Sequence, residues 1–419
     1  MIRKTVLDNG LRIITEAIPH LYSVSVGIWV DNGSRDERAQ ENGLSHFIEH
    51  MIFKGTRNRS ALQIAKELDA IGGLSNAFTS KEQTCFHAKV LDTHLGQALE
   101  ILLDIFLHSL FDPEELERER QVVLQEICMV EDTPDEYVHV LFSQLVHQGN
   151  ALAQPILGTP ETVQSFTQGK ILEYLKEAYG SGKIIMAAAG NVDHQAFVDL
   201  VAPELKERSS DGQPNNRQEP SLASKSWVVS KDLEQVHLAL GTWAPSVSDP
   251  RRYAGNLLNV ILGGNMSSRL FQEVREKRGL AYSIYSFLAP YQNTGLWGIY
   301  TAIAKETLSE TLEVIGQELT KIKKGNLPTT ELEAAKEFIK GGLLLSAEST
   351  DNRMSRLAKN EFDFGRHLSF EEILESVNRI TVSEVVDLAQ EILQPGLLSL
   401  TALGPLTETD LPSPFLILE

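Results

Sequence analysis

Cysteine is scarce in this chain of 419 residues, which contains only Cys85 and Cys128 and no CxxC pair. A small disulfide-stapled fold is excluded, because such folds need several paired thiols. We expect both thiols to be reduced and to fill core positions, as in a protein of the cytoplasm.

The sequence also lacks long apolar runs and an excess of positive charge. A membrane-spanning helix needs about 18 uninterrupted apolar residues, and even "ALEILLDIFLHSLF" contains Glu100, Asp104 and His108. Acidic residues outnumber basic ones by 57 to 38, and the net charge of -19 argues against a phosphate-backbone partner. The N-terminus has no apolar signal core. The sequence thus predicts a cytoplasmic protein with no membrane span and no nucleic-acid partner.

A polar segment divides the chain near its middle. The chain is longer than the roughly 250 to 300 residues that one hydrophobic core supports. The stretch "RSSDGQPNNRQEPSLAS" lacks apolar periodicity and contains two prolines, which is typical of a linker. We therefore predict an N-terminal domain at 1–207, a linker at 208–224 and a C-terminal domain at 225–419.

The two halves of the sequence resemble each other. Trp29 follows a strand-like run and precedes a polar loop, and Trp243 does the same in the second half. Gly190 and Gly404 each close a strand of small residues, and the same spacing separates the members of both pairs. This repeat predicts two homologous α+β domains. Each is expected to be an antiparallel or mixed sheet with helices packed on one face.

Local signals predict several elements of the first half. The pair Asn9-Gly10 favours a hairpin between two strand-like segments. Ser60 is a typical helix cap, and "LSNAFTSKEQTCFHAKVL" predicts two strands with a turn near Lys81. Pro113 stands where a proline begins a helix, so "DPEELERERQVVLQEICMVED" is expected to be a long helix.

The stretch "GLSHFIEHMIFKG" places three polar residues in an apolar segment. If it is helical, His46 and His50 lie one turn apart at i and i+4, with Glu49 beside them. Two imidazoles on one face can bind one metal ion, and the carboxylate then lies next to its water. Zinc suits such nitrogen ligands, and the pattern H-x-x-E-H is that of the inverzincins.

A catalytic zinc site needs a third protein ligand, which the long helix can supply. Glu126 lies in the apolar run "VVLQEI", where a buried acid needs a partner such as a metal ion. Glu119, two turns earlier on the same face, would support a ligand or face the substrate. The alternative is a chance match in which two half-buried histidines are only hydrogen-bonded.

Several motifs in order resemble one known family. "HFIEHMIFKGT", the acid of "RERQVVLQEI", "PILGTPETV" and "LGGNMSSRLFQEVREKRGLAYSIYSF" are together similar to the pitrilysin and insulinase zinc peptidases. The likeness covers essentially the whole chain and is greatest to the bacterial branch related to mitochondrial processing peptidase. It implies the metallopeptidase fold shared by LuxS and the processing peptidases.

The resemblance assigns roles to the motif residues. It implies a zinc ion held by His46, His50 and Glu126, with Glu49 as the general base that takes a proton from zinc-bound water. It implies that Glu119 is an accessory carboxylate. At the spacing of the repeat, Val260 and Gly264 stand in place of the two histidines, so the C-terminal domain lacks the zinc ligands and we expect one zinc ion per chain. Zinc lowers the pKa of its water toward ~7, which suits metal-assisted peptide hydrolysis.

The resemblance also implies residues that bind the substrate. Arg278 and Tyr282 would hold the substrate carbonyl and its developing oxyanion, although residue types alone would give a surface arginine and a packed tyrosine. Asn76, Ala77 and Thr79 would lie on an edge strand to which an extended peptide adds as another strand. An ordinary polar edge strand is the alternative.

Relatives of this length pair two chains around a closed chamber that admits unfolded peptides or leader-like segments. The resemblance therefore implies a homodimer, or a heterodimer with a related chain, in which Arg278 and Tyr282 act in the same chain or come from the partner. A competing function is a catalytically weak or inactive scaffold subunit of a processing-peptidase-like complex. A structural zinc protein is disfavoured, because such sites are usually rich in cysteine.

Overall fold

The computed structural model describes residues 1–208, 215–221 and 224–418. Residues 209–214 and 222–223, which belong to the predicted linker, lie outside the described residues. The strands are β1 (Ile2–Val6), β2 (Arg12–Ala17), β3 (Ser23–Val30), β4 (Leu74–Thr79), β5 (Thr84–Leu91), β6 (Ile184–Gly190), β7 (Ser226–Ser230), β8 (Val236–Ala244), β9 (Ala281–Pro290), β10 (Gly295–Ile303) and β11 (Ser399–Gly404).

The α-helices are α1 (Leu44–Met51), α2 (Ala61–Ala70), α3 (Leu95–His108), α4 (Pro113–Glu131), α5 (Pro134–Val146), α6 (Pro160–Gln164), α7 (Gln168–Ala178), α8 (His194–Leu205), α9 (Arg252–Gly263), α10 (Leu308–Lys323), α11 (Thr329–Ser346), α12 (Thr350–Phe364), α13 (Phe370–Arg379) and α14 (Val382–Ile392). Short 3-10 turns are Ser34–Asp36, Ala39–Glu41, Asp92–His94, Ala151–Ala153, Ser181–Lys183, Lys305–Thr307 and Glu408–Asp410, and Phe271–Glu276 is a π-helical turn.

The chain forms two compact units, and each unit is built from three separate segments of the sequence. Unit 1 comprises Met1–Cys128, Gln154–Arg217 and Ser346–His367, and unit 2 comprises Met129–Ala153, Gln218–Leu345 and Leu368–Glu419. The predicted division at a linker is continuous, whereas in the structure each half of the sequence contributes one segment to the other half's unit. The segments Met129–Ala153 and Ser346–His367 contain α5 and α12.

Unit 1 is built on a six-stranded mixed sheet in the order β1-β2-β6-β3-β5-β4. β2 runs parallel to β6, and the other neighbours are antiparallel. The predicted N-terminal hairpin is confirmed, since β1 pairs with β2 through a turn in which Gly10 has a φ of +86°. The hairpin with a turn near Lys81 is also confirmed as β4 and β5.

Unit 2 contains a five-stranded sheet in the order β7-β11-β8-β10-β9, and β7 runs parallel to β11. This order matches β2-β6-β3-β5-β4 of unit 1, as the repeat predicts. Gly190 and Gly404 end the equivalent strands β6 and β11 with φ of +134° and +154°. A Cβ at these positions would lie 2.3 Å from the Ser23 oxygen and 2.7 Å from the Gln235 oxygen, so both strands need glycine there.

Both faces of each sheet are covered by helices. In unit 1, α1 and α3 pack on the face that presents Val24, Val26 and Ile28, all fully buried. α12 packs on the opposite face, where the indole nitrogen of Trp29 donates to the Met354 sulfur at 3.0 Å. α5 similarly packs on the sheet of unit 2. The sequence predicts the helices on the first face but not the helix on the second.

The two cysteines are free, but only Cys85 is buried. The prediction that Cys128 fills a core position is wrong, because α4 turns the neighbouring Ile127 inward and leaves Cys128 exposed. Among the described residues, none of the helices has the length and apolar character to cross a membrane.

Candidate metal centre

The short helix α1 separates apolar and polar side chains onto two faces. Its buried apolar residues recur with helical spacing: Leu44, Phe47, Ile48 and Met51. The same spacing gives His46, Glu49 and His50 a different face. The rings of the two histidines lie 4.6 Å apart, as expected for positions i and i+4.

The long helix α4 brings Glu126 to this polar face. Glu126 Oε2 lies 3.6 Å from His46 Nε2 and 3.5 Å from His50 Nε2. The potential ligand atoms of the three residues all lie within 4.8 Å of one another. The structure therefore brings together the three residues predicted to bind the metal.

These distances fit a shared zinc ion better than direct hydrogen bonds. Hydrogen bonds of this type are about 2.7 to 3.2 Å long, and both contacts are longer. Tetrahedral ligands with bonds of roughly 2.1 Å to zinc are about 3.4 Å apart. The Nδ1 atom of His46 is buried and has no hydrogen-bond partner among the described residues. A buried imidazole needs a polar partner, and the candidate partner of His46 is therefore at its other nitrogen, Nε2, which faces Glu126. The donor set of two imidazoles and one carboxylate is that of a catalytic zinc site.

The electrostatics favour a neutral, metal-binding His46. Burial, and then the nearby charge of His50, lower the pKa of His46 to about 3. The imidazole is therefore neutral at pH 7, which is the form that binds metal ions.

Glu119 holds the other nitrogen of His50. His50 Nδ1 donates to Glu119 Oε1 at 2.8 Å, and Lys54 Nζ lies 2.6 Å from Glu119 Oε2. Burial opposes the charge of Glu119, but the hydrogen bonds from His50 and Lys54 keep its pKa below the usual value. A carboxylate in this place fixes the ring so that Nε2 faces Glu126. Glu119 thus contacts a potential ligand, and its role toward the metal or the substrate stays a prediction.

Glu49 lies on the same face and has a buried oxygen, Oε2, without a hydrogen-bond partner among the described residues. Burial raises the pKa of Glu49, while Thr79 and His50 oppose this shift. A carboxylate with a free oxygen and a raised pKa can accept and release a proton.

Thr79 belongs to β4, which lies at the edge of the sheet as predicted for Asn76, Ala77 and Thr79. Ala77 is buried against the core, whereas Asn76 is exposed. The Thr79 hydroxyl is buried, and Thr79 interacts with Glu49 and lowers the pKa of that carboxyl group. The edge position is confirmed, and the binding of substrate there stays a prediction.

Arg278 and Tyr282 belong to unit 2. Arg278 lies between the π-helical turn and β9, and Tyr282 is the second residue of β9. Arg278 Nη1 donates to the carboxylate of Glu273 at 2.6 Å and to its carbonyl oxygen at 2.9 Å. Tyr282 is 82% exposed, and the Arg275 guanidinium lies 5.1 Å from its ring centroid. Tyr282 is therefore not a packed core residue. The roles of Arg278 and Tyr282 toward the substrate stay predictions.

Sequence reasoning missed Glu37, a buried carboxylate before α1. It is 4% exposed and accepts hydrogen bonds from the backbone N–H groups of Gly43 and Ser45, both at 2.7 Å. A sequence signal did exist: Gly43 precedes the helix and has no side chain to cap it, so an acceptor has to come from elsewhere.

Comparison with known proteins identifies the family of this chain. The model of the insulinase family, peptidase family M16, matches residues 12–160, and the model of the M16 inactive domain matches residues 165–339. The first match contains all three potential ligands.

Curated relatives match nearly the full chain. An uncharacterized zinc protease of Bacillus subtilis is 42% identical over 94% of this chain and 96% of its own length. Uncharacterized zinc proteases of Streptomyces coelicolor and Mycobacterium tuberculosis are each 38% identical, over 97% and 93% of this chain and 90% of their own lengths.

Solved structures share the fold. A protease from Helicobacter pylori has a TM-score of 0.89 at 22% identity and covers 97% of this chain and 99% of its own. A structure from Pseudomonas fluorescens, described as a peptidase M16 inactive domain, has a TM-score of 0.89 at 20% identity. It covers 97% of this chain and 98% of its own. With the curated relatives and the family models, these findings establish that the chain belongs to the insulinase family of peptidases, family M16.

Proposed function

We propose that this protein is a cytoplasmic zinc endopeptidase, with one zinc ion per chain, that hydrolyses unfolded peptides or leader-like segments. The observation that carries the proposal is the convergence of His46, His50 and Glu126 beside the partly unpartnered Glu49. The relatives named as zinc proteases support it. The two free cysteines fit a reducing compartment.

His46, His50 and Glu126 would hold the zinc ion. When bound, zinc supplies a Lewis acid that polarises the peptide carbonyl and lowers the pKa of a water molecule to about 7. Glu119 keeps the His50 ring in the orientation that this ligand set needs.

Glu49 would act as the general base. Its buried carboxylate takes a proton from the attacking water and passes it to the amine that leaves. Because burial raises its pKa, the protonated form that exists between these two steps is less costly than for an exposed glutamate.

The substrate would bind as an extended strand along the free edge of β4. Backbone hydrogen bonds to an edge strand recognise a peptide in its extended form, which a folded protein cannot offer. Asn76, Ala77 and Thr79 would supply this edge, and Arg278 and Tyr282 would stabilise the substrate oxyanion. We infer a homodimer, or a heterodimer with a related chain, that closes a chamber around the peptide.

Cleavage of quenched-fluorescent peptides of graded length tests this function. We expect unfolded peptides to be cut internally, the activity to disappear with a chelator, and zinc to restore it. A folded protein containing the same cleavage sequence should remain intact. If the protein binds zinc but cuts nothing in a broad peptide mixture, the proposal fails and a scaffold function is favoured.

A further inference from the structure

We propose that Glu37 is a positioning residue for the metal centre, since its buried carboxylate fixes the first turn of the helix that carries His46 and Glu49. This inference rests on the proposed function, because it assigns Glu37 a part in that same site. The hydrogen bonds of Glu37 go to Asn42, Gly43 and Ser45, so it acts through the start of α1.

The helix α1 needs an external cap. It has only two turns, and helices this short are marginal without stabilising contacts at their ends. The first N–H groups of a helix have no partner within the helix, and Gly43, with a φ of +92°, has no side chain that can accept from them. Glu37 supplies the missing acceptor from outside the helix.

The contacts of Glu37 are specific to this turn. One carboxylate oxygen accepts from Ser45 N at 2.7 Å. The other accepts from Gly43 N at 2.7 Å and from Asn42 Nδ2 at 3.2 Å. Ser45 directly precedes His46, so the bond to its N–H holds the backbone next to the first histidine.

A second set of contacts holds the same turn through the Ser45 side chain. The Ser45 hydroxyl bonds to the Tyr174 hydroxyl at 2.8 Å, and Asn32 Nδ2 donates to Tyr174 at 2.8 Å. Ser45 and Tyr174 are buried, as is Asn32. The first turn of α1 is therefore held at both its backbone and a side chain.

The loop that carries Glu37 is itself anchored to the hairpin of β4 and β5. Arg35 donates to Glu82 at 2.6 Å. Arg217 links the two segments, since it donates to Asp36 at 2.8 Å and to the Glu82 carbonyl oxygen at 2.8 Å. A Cβ at Gly33 would lie 2.4 Å from the Ser80 oxygen, so the loop approaches the hairpin closely. Glu37 thus joins the helix of Glu49 to the strand that would bind the peptide.

The test compares Glu37→Gln with Glu41→Gln. Glutamine keeps the size of the side chain but presents an NH2 group to one of the backbone donors. Glu41 lies in the same loop and bonds to Arg38, not to α1, so it serves as the matched control. For each protein we would measure the unfolding free energy without metal, zinc affinity by competition with a chelator, and kcat and KM at saturating zinc.

We expect Glu37→Gln to bind zinc about 10- to 100-fold more weakly, as for other residues that orient ligands. Its kcat at saturating zinc should fall while KM changes little, and Glu41→Gln should match the wild type. Glu37→Asp, which keeps the carboxyl group on a shorter side chain, should have an intermediate zinc affinity. If Glu37→Gln does not fold, the zinc affinity and kcat of Glu37→Asp test the inference instead.

The inference is overturned if Glu37→Gln, or Glu37→Asp where the former does not fold, loses only unfolding free energy. In that case zinc affinity and kcat at saturating zinc would equal those of the wild type. Zinc affinity remains a valid readout if the wild type cuts no peptide, so failure of the proposed function and failure of this inference can be told apart.

Discussion

At the scale of single residues, the proposed zinc ligands were predictable because each of them leaves a local signal in the sequence. His46 and His50 share a face whenever the segment is helical, and Glu126 stands out as an acid in an apolar run. Glu37 could not be found in this way, because it accepts mainly from backbone N–H groups that lack a partner only when α1 begins at Leu44. Residue types predict side-chain chemistry better than they predict contacts to the backbone.

Glu119→Gln should weaken zinc binding by about 10- to 100-fold. The amide keeps the size of the side chain but removes the charge that orients His50 through its Nδ1 atom. Competition with a fluorescent chelator measures the effect. Glu114→Gln, on the exposed start of the same helix, is the control. An unchanged affinity in Glu119→Gln would remove Glu119 from the support of the ligands.

Because of Asp363, the free energy of unfolding should fall as the pH rises and this buried carboxyl group loses its proton. Burial, and then the nearby charge of Glu82, raise the pKa of Asp363 to about 6. A carboxyl group with a raised pKa in the folded state favours folding at low pH. This contribution is lost as pH rises from the usual value of 3.8 through about 6.

Asp363→Asn therefore should be more stable than the wild type at pH 8, and its advantage should grow by about 1 kcal/mol between pH 5 and pH 8. Denaturant unfolding at several pH values measures the difference. A difference in unfolding free energy that does not change with pH would contradict this account of Asp363.

At the scale of elements, short segments with clear end signals were predicted well. Ser60 caps α2 and Pro113 begins α4, as expected from the local sequence. The place of β6 between β2 and β3 was not predictable, because it depends on pairing between residues far apart in the chain. The residues of β6 are uniformly buried, and such a run does not show which strands it will join.

Gly43, which directly precedes α1, lies close to the backbone of Gly158. A Cβ at Gly158 would lie 2.5 Å from the Asn42 oxygen, and its φ is +79°. Gly158→Ala should therefore lower the unfolding free energy by roughly 2 to 4 kcal/mol and weaken zinc binding, since the clash adds to about 1 to 2 kcal/mol for the left-handed conformation.

Gly72→Ala is the matched control for this prediction. Gly72 also has a positive φ, of +62°, but a Cβ there would meet nothing within 4 Å. Gly72→Ala should lose only the unfolding free energy that the left-handed conformation costs an alanine, and it should keep its zinc affinity. Equal losses in the two variants would show that the close approach at Gly158 does not matter.

At the scale of the whole molecule, the repeat was visible in the sequence but the exchange of segments was not. Spaced tryptophans and glycines reveal a duplication because they occupy equivalent strands, such as Gly190 in β6 and Gly404 in β11. The segment Ser346–His367 has no such landmark, yet it belongs to unit 1. A helix pattern shows that α12 has an apolar face but not which sheet that face covers.

A fragment of residues 1–207 should therefore fail to fold cooperatively. It lacks α12, so the sheet face that contains Trp29 would lose its cover, including the contact with Met354. Calorimetry of the fragment should show no cooperative transition, and the full chain provides the comparison. A fragment that unfolds cooperatively and binds zinc like the full chain would show that the exchanged segment is dispensable.

The most direct test of the central claim is peptide cleavage by Glu49→Gln at matched zinc content. The amide cannot accept the proton, while His46, His50 and Glu126 remain to bind the metal. We predict zinc binding like that of the wild type and a loss of kcat of about 100- to 10,000-fold, the usual contribution of a general base. Equal cleavage by the two proteins at equal zinc content would contradict the account.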